Sequence, residues 1–169
     1  MHPNVNLRNT FIMLICLFVV IIIIQQITND KSIDVIKGEV IKVYDGDTIT
    51  VFKSNEKHKI RLDGIDAPEL KQKFGKESRN FLNQKLLGKN VEIKIKNIDI
   101  YQRKVGEVYQ NSELVNLTMI NEGYAWHYFE YNKNKNYSKA QNTAKINKIG
   151  LWKEKSPVAP WEWRKQHKR

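Results

Sequence analysis

Cysteine is almost missing from this 169-residue chain: Cys16 is the single one, and it stands inside the most apolar run. An internal disulfide, a cysteine-built zinc site and an iron–sulfur cluster are therefore excluded. Histidine is nearly as scarce, four in all, with His58 and His127 isolated and His2 and His167 near the ends, so none has metal-site spacing. Acidic side chains are in deficit, 18 Asp plus Glu against 29 Lys plus Arg, a formal net charge of +11. Residues 1–30 hold only Arg8 and Asp30, which cancel, so the whole surplus lies in residues 31–169. A partner of negative charge is implied, with nucleic acid and an anionic membrane surface as the two candidates. What is present is enough for a core: 41% of the residues are hydrophobic, which argues for one compact domain and against intrinsic disorder.

Residues 11–24 form 14 consecutive apolar residues, extended past Gln25 and Gln26 to Ile27. A helix over residues 11–27 reaches about 25 Å at roughly 1.5 Å per residue, the lower edge of what a bilayer core requires. Residues 1–30 accordingly read as a signal peptide or a signal anchor, outside the folded domain of residues 31–169. Gln25, Gln26, Ile27, Thr28, Asn29 and Asp30 include no Ala or Gly for cleavage, which favours retention. Arg8 keeps the amino terminus inside, although Lys31, Lys37 and Lys42 weaken that asymmetry. The expectation is an extracytoplasmic domain, membrane-anchored or secreted after cleavage.

Beyond residue 35 the pattern is one of short strands. Residues 38–43 and 48–52 flank Tyr44-Asp45-Gly46-Asp47, and Asp-Gly between β-rich runs predicts a hairpin. His58, Ile60 and Leu62 alternate with Lys57, Lys59 and Arg61, and Val91, Ile93 and Ile95 alternate with Glu92, Lys94 and Lys96. Residues 105–109 make a fifth strand. Leu70, Phe74, Phe81, Leu82 and Leu86 predict a helix opening after Pro68 and ending at Gly88. Leu114, Leu117 and Ile120 predict a second, ending at Gly123; Tyr137, Ala140 and Ala144 predict a third, ending at Gly150. The fold class is α+β: a five-stranded barrel of the oligonucleotide-binding type with about three helices. Residues 132–136 read as a mobile loop and residues after Lys153 as a basic tail carrying Trp161 and Trp163.

Six carboxylates lie in residues 45–69 of this cationic chain, and five of them flank the two turns: Asp45, Asp47, Asp63, Asp66 and Glu69. A hard divalent cation explains such crowding, because Ca²⁺ takes oxygen ligands from carboxylates, carbonyls and water. Asp45 and Asp63, each before a glycine, are equally ordinary turn formers, and Asp66-Ala67-Pro68-Glu69 also suits the start of a helix. Arg61 and Arg103 shift the balance, since a guanidinium grips two phosphate oxygens in a fixed fork. Acids flanked by two arginines suit phosphodiester hydrolysis.

Residues 43–48 (Val-Tyr-Asp-Gly-Asp-Thr), 60–69 (Ile-Arg-Leu-Asp-Gly-Ile-Asp-Ala-Pro-Glu) and 99–103 (Asp-Ile-Tyr-Gln-Arg) resemble, in order, three signature blocks of the staphylococcal nuclease family. The likeness runs over about residues 36–163. It implies a Ca²⁺-dependent nuclease of DNA and RNA, an endonuclease with Ca²⁺ as cofactor that leaves 3′-phosphate ends. By position, Asp47 and Asp66 bind Ca²⁺, together with the backbone carbonyl of Ala67, where the family usually has threonine. Glu69 is the general base, Arg61 and Arg103 hold the phosphate, and Asp45 and Thr48 support the site from outside. Tyr128, Phe129 and Tyr131 are candidates for stacking on a base. The segment between Glu69 and Phe74 is shorter than in the secreted staphylococcal enzyme, so a loop beside the site is trimmed. The implied partners are single-stranded DNA, RNA and denatured or flexible duplex DNA, with the membrane added if the N-terminal segment is uncleaved; no protein partner is implied. The alternative of another class is a catalytically inactive, membrane-tethered nucleic-acid-binding barrel.

Overall fold

The computed structural model describes residues 7–28 and 34–167, with side chains for 11–22 and 34–167. The chain falls into two compact units, Met1–Ile33 and Asp34–Arg169. In the first, α1 (Leu7–Thr28) is a single helix of 22 residues whose side chains 11–22 are all exposed. Among the described residues no helix is long and apolar enough to cross a membrane. Residues 1–6, 29–33 and 168–169 lie outside the described residues, and with them the expected boundary at residue 30 and the last two basic residues of the tail.

The second unit is built on β1 (Val35–Val43), which is long enough to serve two partners. Its first half pairs with β5 (Asn90–Ile98), from Val35 opposite Lys94 to Glu39 opposite Asn90. Its second half pairs with β2 (Thr48–Lys53), and a register shift between Val40 and Lys42 bends the strand between the two. β2 continues to β3 (Glu56–Leu62), and β5 to β6 (Lys104–Gln110), both antiparallel. Parallel pairing of β3 with β6, Ile60 to Leu62 against Lys104 to Gly106, closes these five strands into the expected barrel. β7 (Glu113–Leu114) extends the sheet beside β6, while β4 (Ile65–Asp66) and β8 (Trp126–His127) pair separately as a two-stranded ribbon.

Alternation decides the core. Ile49, Val51, Ile60, Leu62, Ile93 and Val108 are at most 1% exposed, whereas their neighbours Lys57, Lys59 and Arg61 point the other way. Into the same core α2 (Gly75–Leu86) lays Leu82 and Leu86, and α3 (Val115–Asn121) lays Val115, Met119 and Ile120. Tyr137 and Ala140 of α4 (Lys135–Ile146) complete it. Buried Asn116 ties α3 to the barrel: its Oδ1 accepts from the Val108 N–H, and its Nδ2 donates to the carbonyls of Asp63 and Gly106.

Three expectations are corrected. The helix predicted to open after Pro68 begins at Gly75, because Phe74 adopts a left-handed φ of 70° and Leu70 stays 41% exposed in the turn before it. Segment 132–136 is not a free loop: Asn132 Nδ2 donates to Asp63 Oδ2, and Asn134 caps α4 by accepting from the Asn136 N–H. The tail is folded, with a 3-10 turn at Gly150–Lys153 and a helix α5 (Pro160–Gln166), so in the second unit α5 joins the three helices expected beside the barrel.

Candidate active site

The turn between β1 and β2 is shaped by its own acids. Tyr44 N–H donates to the Thr48 carbonyl, and Asp45 Oδ1 accepts from the Asp47 N–H at 3.0 Å, the local bond that makes Asp a turn former. Gly46 is required there by space, since a Cβ would overlap Ser78 Oγ of α2 and lie 2.6 Å from the Ala67 Cβ. Asp47 is thereby turned inward, 6% exposed. Its Oδ1 accepts from Thr48 Oγ1 at 3.0 Å and its Oδ2 from the Ala67 N–H at 2.7 Å, which ties the turn to the acidic segment after β4. Asp66, 2% exposed, ends β4 opposite Trp126. Arg61 reaches across from β3, its Nη2 3.2 Å from Asp47 Oδ2 and 3.1 Å from Asp66 Oδ1, its Nη1 on the Leu62 carbonyl.

Glu69 stands beside this pair. Its N–H donates to Gln72 Oε1 and its carbonyl accepts from the Gln72 N–H, a tight turn on which Gly75 packs so closely that a Cβ would overlap the Glu69 carbonyl oxygen. From the far end of the chain, Arg164 of α5 joins the two acids: Nη2 lies 2.8 Å from Asp66 Oδ2, and Nη1 3.2 Å from Asp66 Oδ1 and 2.8 Å from Glu69 Oε1. Helix α5 is seated by aromatic contact, with Trp161 stacked on Tyr128 at 5.2 Å and edge-on to Trp126 at 5.6 Å. Gln72 Nε2 adds a 2.7 Å bond to the Val158 carbonyl just before it.

Electrostatically the site is dominated by burial of its acids. Burial and the neighbouring Asp47 push Asp45 up to about 7. Burial also raises Asp66, opposed by the Arg164 hydrogen bond, reinforced by Asp47 and opposed again by Arg61. For Arg164, burial works downward, yet its bonds to Asp66 and Glu69 hold it above the ordinary guanidinium value. Asp47 and Asp66 converge closely enough for one nitrogen of Arg61 to touch both. Two convergent carboxylates are hard oxygen donors, so the pair fits a hard divalent cation that draws its remaining ligands from carbonyls and water. Among the described residues no cluster of three or more His, Cys, Asp or Glu is placed to hold a metal by side chains alone.

The remaining candidates are less central. Arg103 precedes Lys104, which pairs with Ile60, so the register brings it to the end of the barrel that carries Arg61. Its Nε is held by Asp99 Oδ2 at 2.7 Å, and Asp99 also accepts from the N–H groups of Tyr101 and Arg103. Of the three aromatic candidates, Tyr128 already has one face covered by Trp161, with Tyr131 tilted against it at 4.6 Å. Phe129 and Tyr131 are 56% and 71% exposed, and Lys133 lies 3.9 Å over the Phe129 ring. Sequence reasoning missed Gln72, Trp161 and Arg164. A signal for α5 was present: Pro160 at the first helical position, Glu162 in the first turn, Arg164 and Lys165 in the last.

Known proteins share this arrangement of sequence. A family model described as staphylococcal nuclease homologue matches residues 59–154. An uncharacterized endonuclease of Haemophilus influenzae is 37% identical over 161 residues, which cover 95% of this chain and 88% of that protein. An uncharacterized endonuclease of Escherichia coli O157:H7 is 42% identical over 130 residues, 76% of this chain and 85% of that protein. A staphylococcal-like nuclease of Arabidopsis thaliana is 41% identical over 110 residues, 65% of this chain but only 34% of the plant protein. The matched family segment includes Arg61, Asp66, Glu69 and Arg103; Asp47 precedes it and Arg164 follows it.

Proposed function

The chain belongs to the staphylococcal nuclease family and is a nuclease acting on nucleic acid; from that premise we propose that it is a Ca²⁺-dependent phosphodiesterase that cleaves DNA and RNA and leaves 3′-phosphate ends. The observation that carries the proposal is the convergence of Asp47 and Asp66 on one cationic nitrogen, with Glu69 held at their edge. In this reading Asp47, Asp66 and the Ala67 carbonyl hold Ca²⁺. A divalent cation held by these groups would neutralise the two carboxylates and offset charge developing on the phosphoryl group. Asp45 and Thr48 fix the orientation of Asp47 through the bonds already described.

The protein's own steps then follow from the positions of its side chains. Glu69 takes a proton from the attacking water as the oxygen–phosphorus bond forms. Phosphorus becomes five-coordinate and its equatorial oxygens gain charge, which Arg61 and Arg103 stabilise more in the transition state than in the ground state. The bond to the 5′ oxygen breaks, and that oxygen takes a proton from solvent, leaving phosphate on the 3′ side. Substrate approach is favoured by a basic row along β3, where Lys57 and Lys59 share the outer face with Arg61. Tyr44 lies in the same face under Lys42 and Lys59, at 4.4 and 4.7 Å. We further propose that the N-terminal segment holds the domain on the extracytoplasmic side of a membrane or directs its export.

The test is cleavage of single-stranded DNA by the purified chain with Ca²⁺, with Mg²⁺ and with chelator, beside Glu69→Gln. Cleavage that requires Ca²⁺ and is lost in the variant is the expected result. Tight binding without cleavage under either metal would give the place to the alternative, an inactive nucleic-acid-binding barrel.

A further inference from the structure

We propose that Arg164 is an internal cation of the active site which competes with the divalent metal for Asp66, so that α5 is a latch that metal binding opens. The inference rests on the reading of Asp66 as a metal ligand and extends it to a part of the chain beyond the matched family segment, residues 59–154.

Both carboxylate oxygens of Asp66 are occupied. Oδ2 is taken by Arg164 Nη2 at 2.8 Å, and Oδ1 is shared between Arg61 Nη2 at 3.1 Å and Arg164 Nη1 at 3.2 Å. A metal that takes an Asp66 oxygen meets a positive guanidinium already bound there, and two cations on one carboxylate repel strongly in a site so far from water. One of the two arginines has to yield. Arg61 is caged: its side chain is 14% exposed, donates to the Leu62 carbonyl and sits on a barrel strand. Arg164 is 39% exposed and sits on a seven-residue helix, too short to be stable without its docking contacts. It can turn into water with a far smaller penalty, so it is the group that leaves.

Its second bond gives the latch a consequence for catalysis. Arg164 Nη1 also occupies Glu69 Oε1 at 2.8 Å. While latched, Glu69 commits that oxygen to a guanidinium rather than to water, and the general base and the metal ligand are blocked by one side chain. Movement of Arg164 also loads the seat of α5, where Trp161 stacks on Tyr128 in near-parallel rings, 7° apart. The aromatic stack is therefore an optical reporter within the molecule.

The test is Ca²⁺ binding to the full chain by calorimetry, wild type against Arg164→Gln, with tryptophan fluorescence followed in the same titrations. Competition predicts Ca²⁺ binding about tenfold tighter in Arg164→Gln, a change of roughly 1.4 kcal/mol. It also predicts a Ca²⁺-dependent fluorescence change in the wild type that is much reduced in Trp161→Phe, a variant that leaves every charged group of the site in place. Equal affinities, or weaker binding by Arg164→Gln, would overturn the latch while leaving the metal site standing. Absence of Ca²⁺ binding in both proteins would overturn the latch together with the reading it rests on.

Discussion

A carboxylate almost wholly removed from water must be answered by positive charge, and Asp66, 2% exposed, is answered by Arg61 and Arg164. Glu69, at 35% side-chain exposure, is accessible to water, as the base role proposed for it requires. Glu69→Gln keeps shape and hydrogen bonding but removes basicity, so it should retain binding of single-stranded DNA while turnover falls by about 10²- to 10⁴-fold; single-turnover cleavage beside a binding isotherm checks both halves. Arg103→Lys should lower kcat/KM by about tenfold or more with little change in Tm, because lysine lacks the fork that leaves two nitrogens for phosphate while Nε stays on Asp99. Unchanged kinetics would remove Arg103 from the site. At this scale type and spacing drew attention to Asp47, Asp66, Glu69 and Arg61 but left turn and helix-start readings open; the resemblance selected them, and the fold brings Asp47, Asp66 and Arg61 into contact with Glu69 beside them. Arg164 was not, because one arginine among 29 basic residues carries no signal until α5 brings it to acids 95 and 98 positions away.

Elements translate the pattern into reach. Because β3 alternates, Lys57, Lys59 and Arg61 fall on one outer face two residues apart, roughly 6.6 Å per step along a strand. A single strand whose scissile phosphate sits at Arg61 can lay its next phosphates against the two lysines. Replacing Lys57 and Lys59 by alanine should therefore weaken single-stranded DNA binding, with Tm unchanged. The salt dependence should flatten by about 0.7 in log–log slope for each phosphate that the variant no longer neutralises. An unaltered slope would place the strand elsewhere. The β4–β8 ribbon yields a pH prediction. His127 is held neutral by burial, which lowers its pKa despite its 2.7 Å bond to the Asn132 carbonyl, while Lys133 lowers it further. The unfolded chain then binds the proton more readily, so stability rises with pH through the range just below the ordinary histidine value and is lost as pH falls through it. His127→Gln should remove that slope in chemical denaturation followed across the acid side of neutrality. Strands were legible because their period is two and one face is buried. The start of α2 was not, because Leu70 and Phe74 continue the helical spacing while the left-handed Phe74 backbone interrupts the helix. α5 was hidden by its charge, which reads as a solvated tail unless Pro160 is taken as a helix start.

For the molecule as a whole, charge and apolar surface are segregated: the surplus of +11 lies entirely beyond residue 30, and the longest apolar run lies entirely before it. That division suits a protein whose two ends meet different environments, polyanion for the barrel and hydrocarbon for the leader. The run of 14 apolar residues is too unfavourable to leave in water, at roughly 0.8 kcal/mol for each CH₂ group left unburied, whichever way it is handled by the cell. Residues 25–30 include no Ala or Gly, which disfavours removal of the segment, and on the proposal made above the chain is an anchored enzyme with its basic domain outside the cytoplasm. Fractionation of producing cells should find the intact chain in membranes that survive alkaline carbonate washing, with the domain digested by protease in right-side-out vesicles and protected in inside-out ones. Recovery of a shortened chain in the medium would show cleavage and secretion instead. Protection in right-side-out vesicles would reverse the orientation, and would place the nuclease beside the cell's own nucleic acid, where a latch on Asp66 and Glu69 that opens only at high Ca²⁺ would guard against cleavage of the wrong substrate.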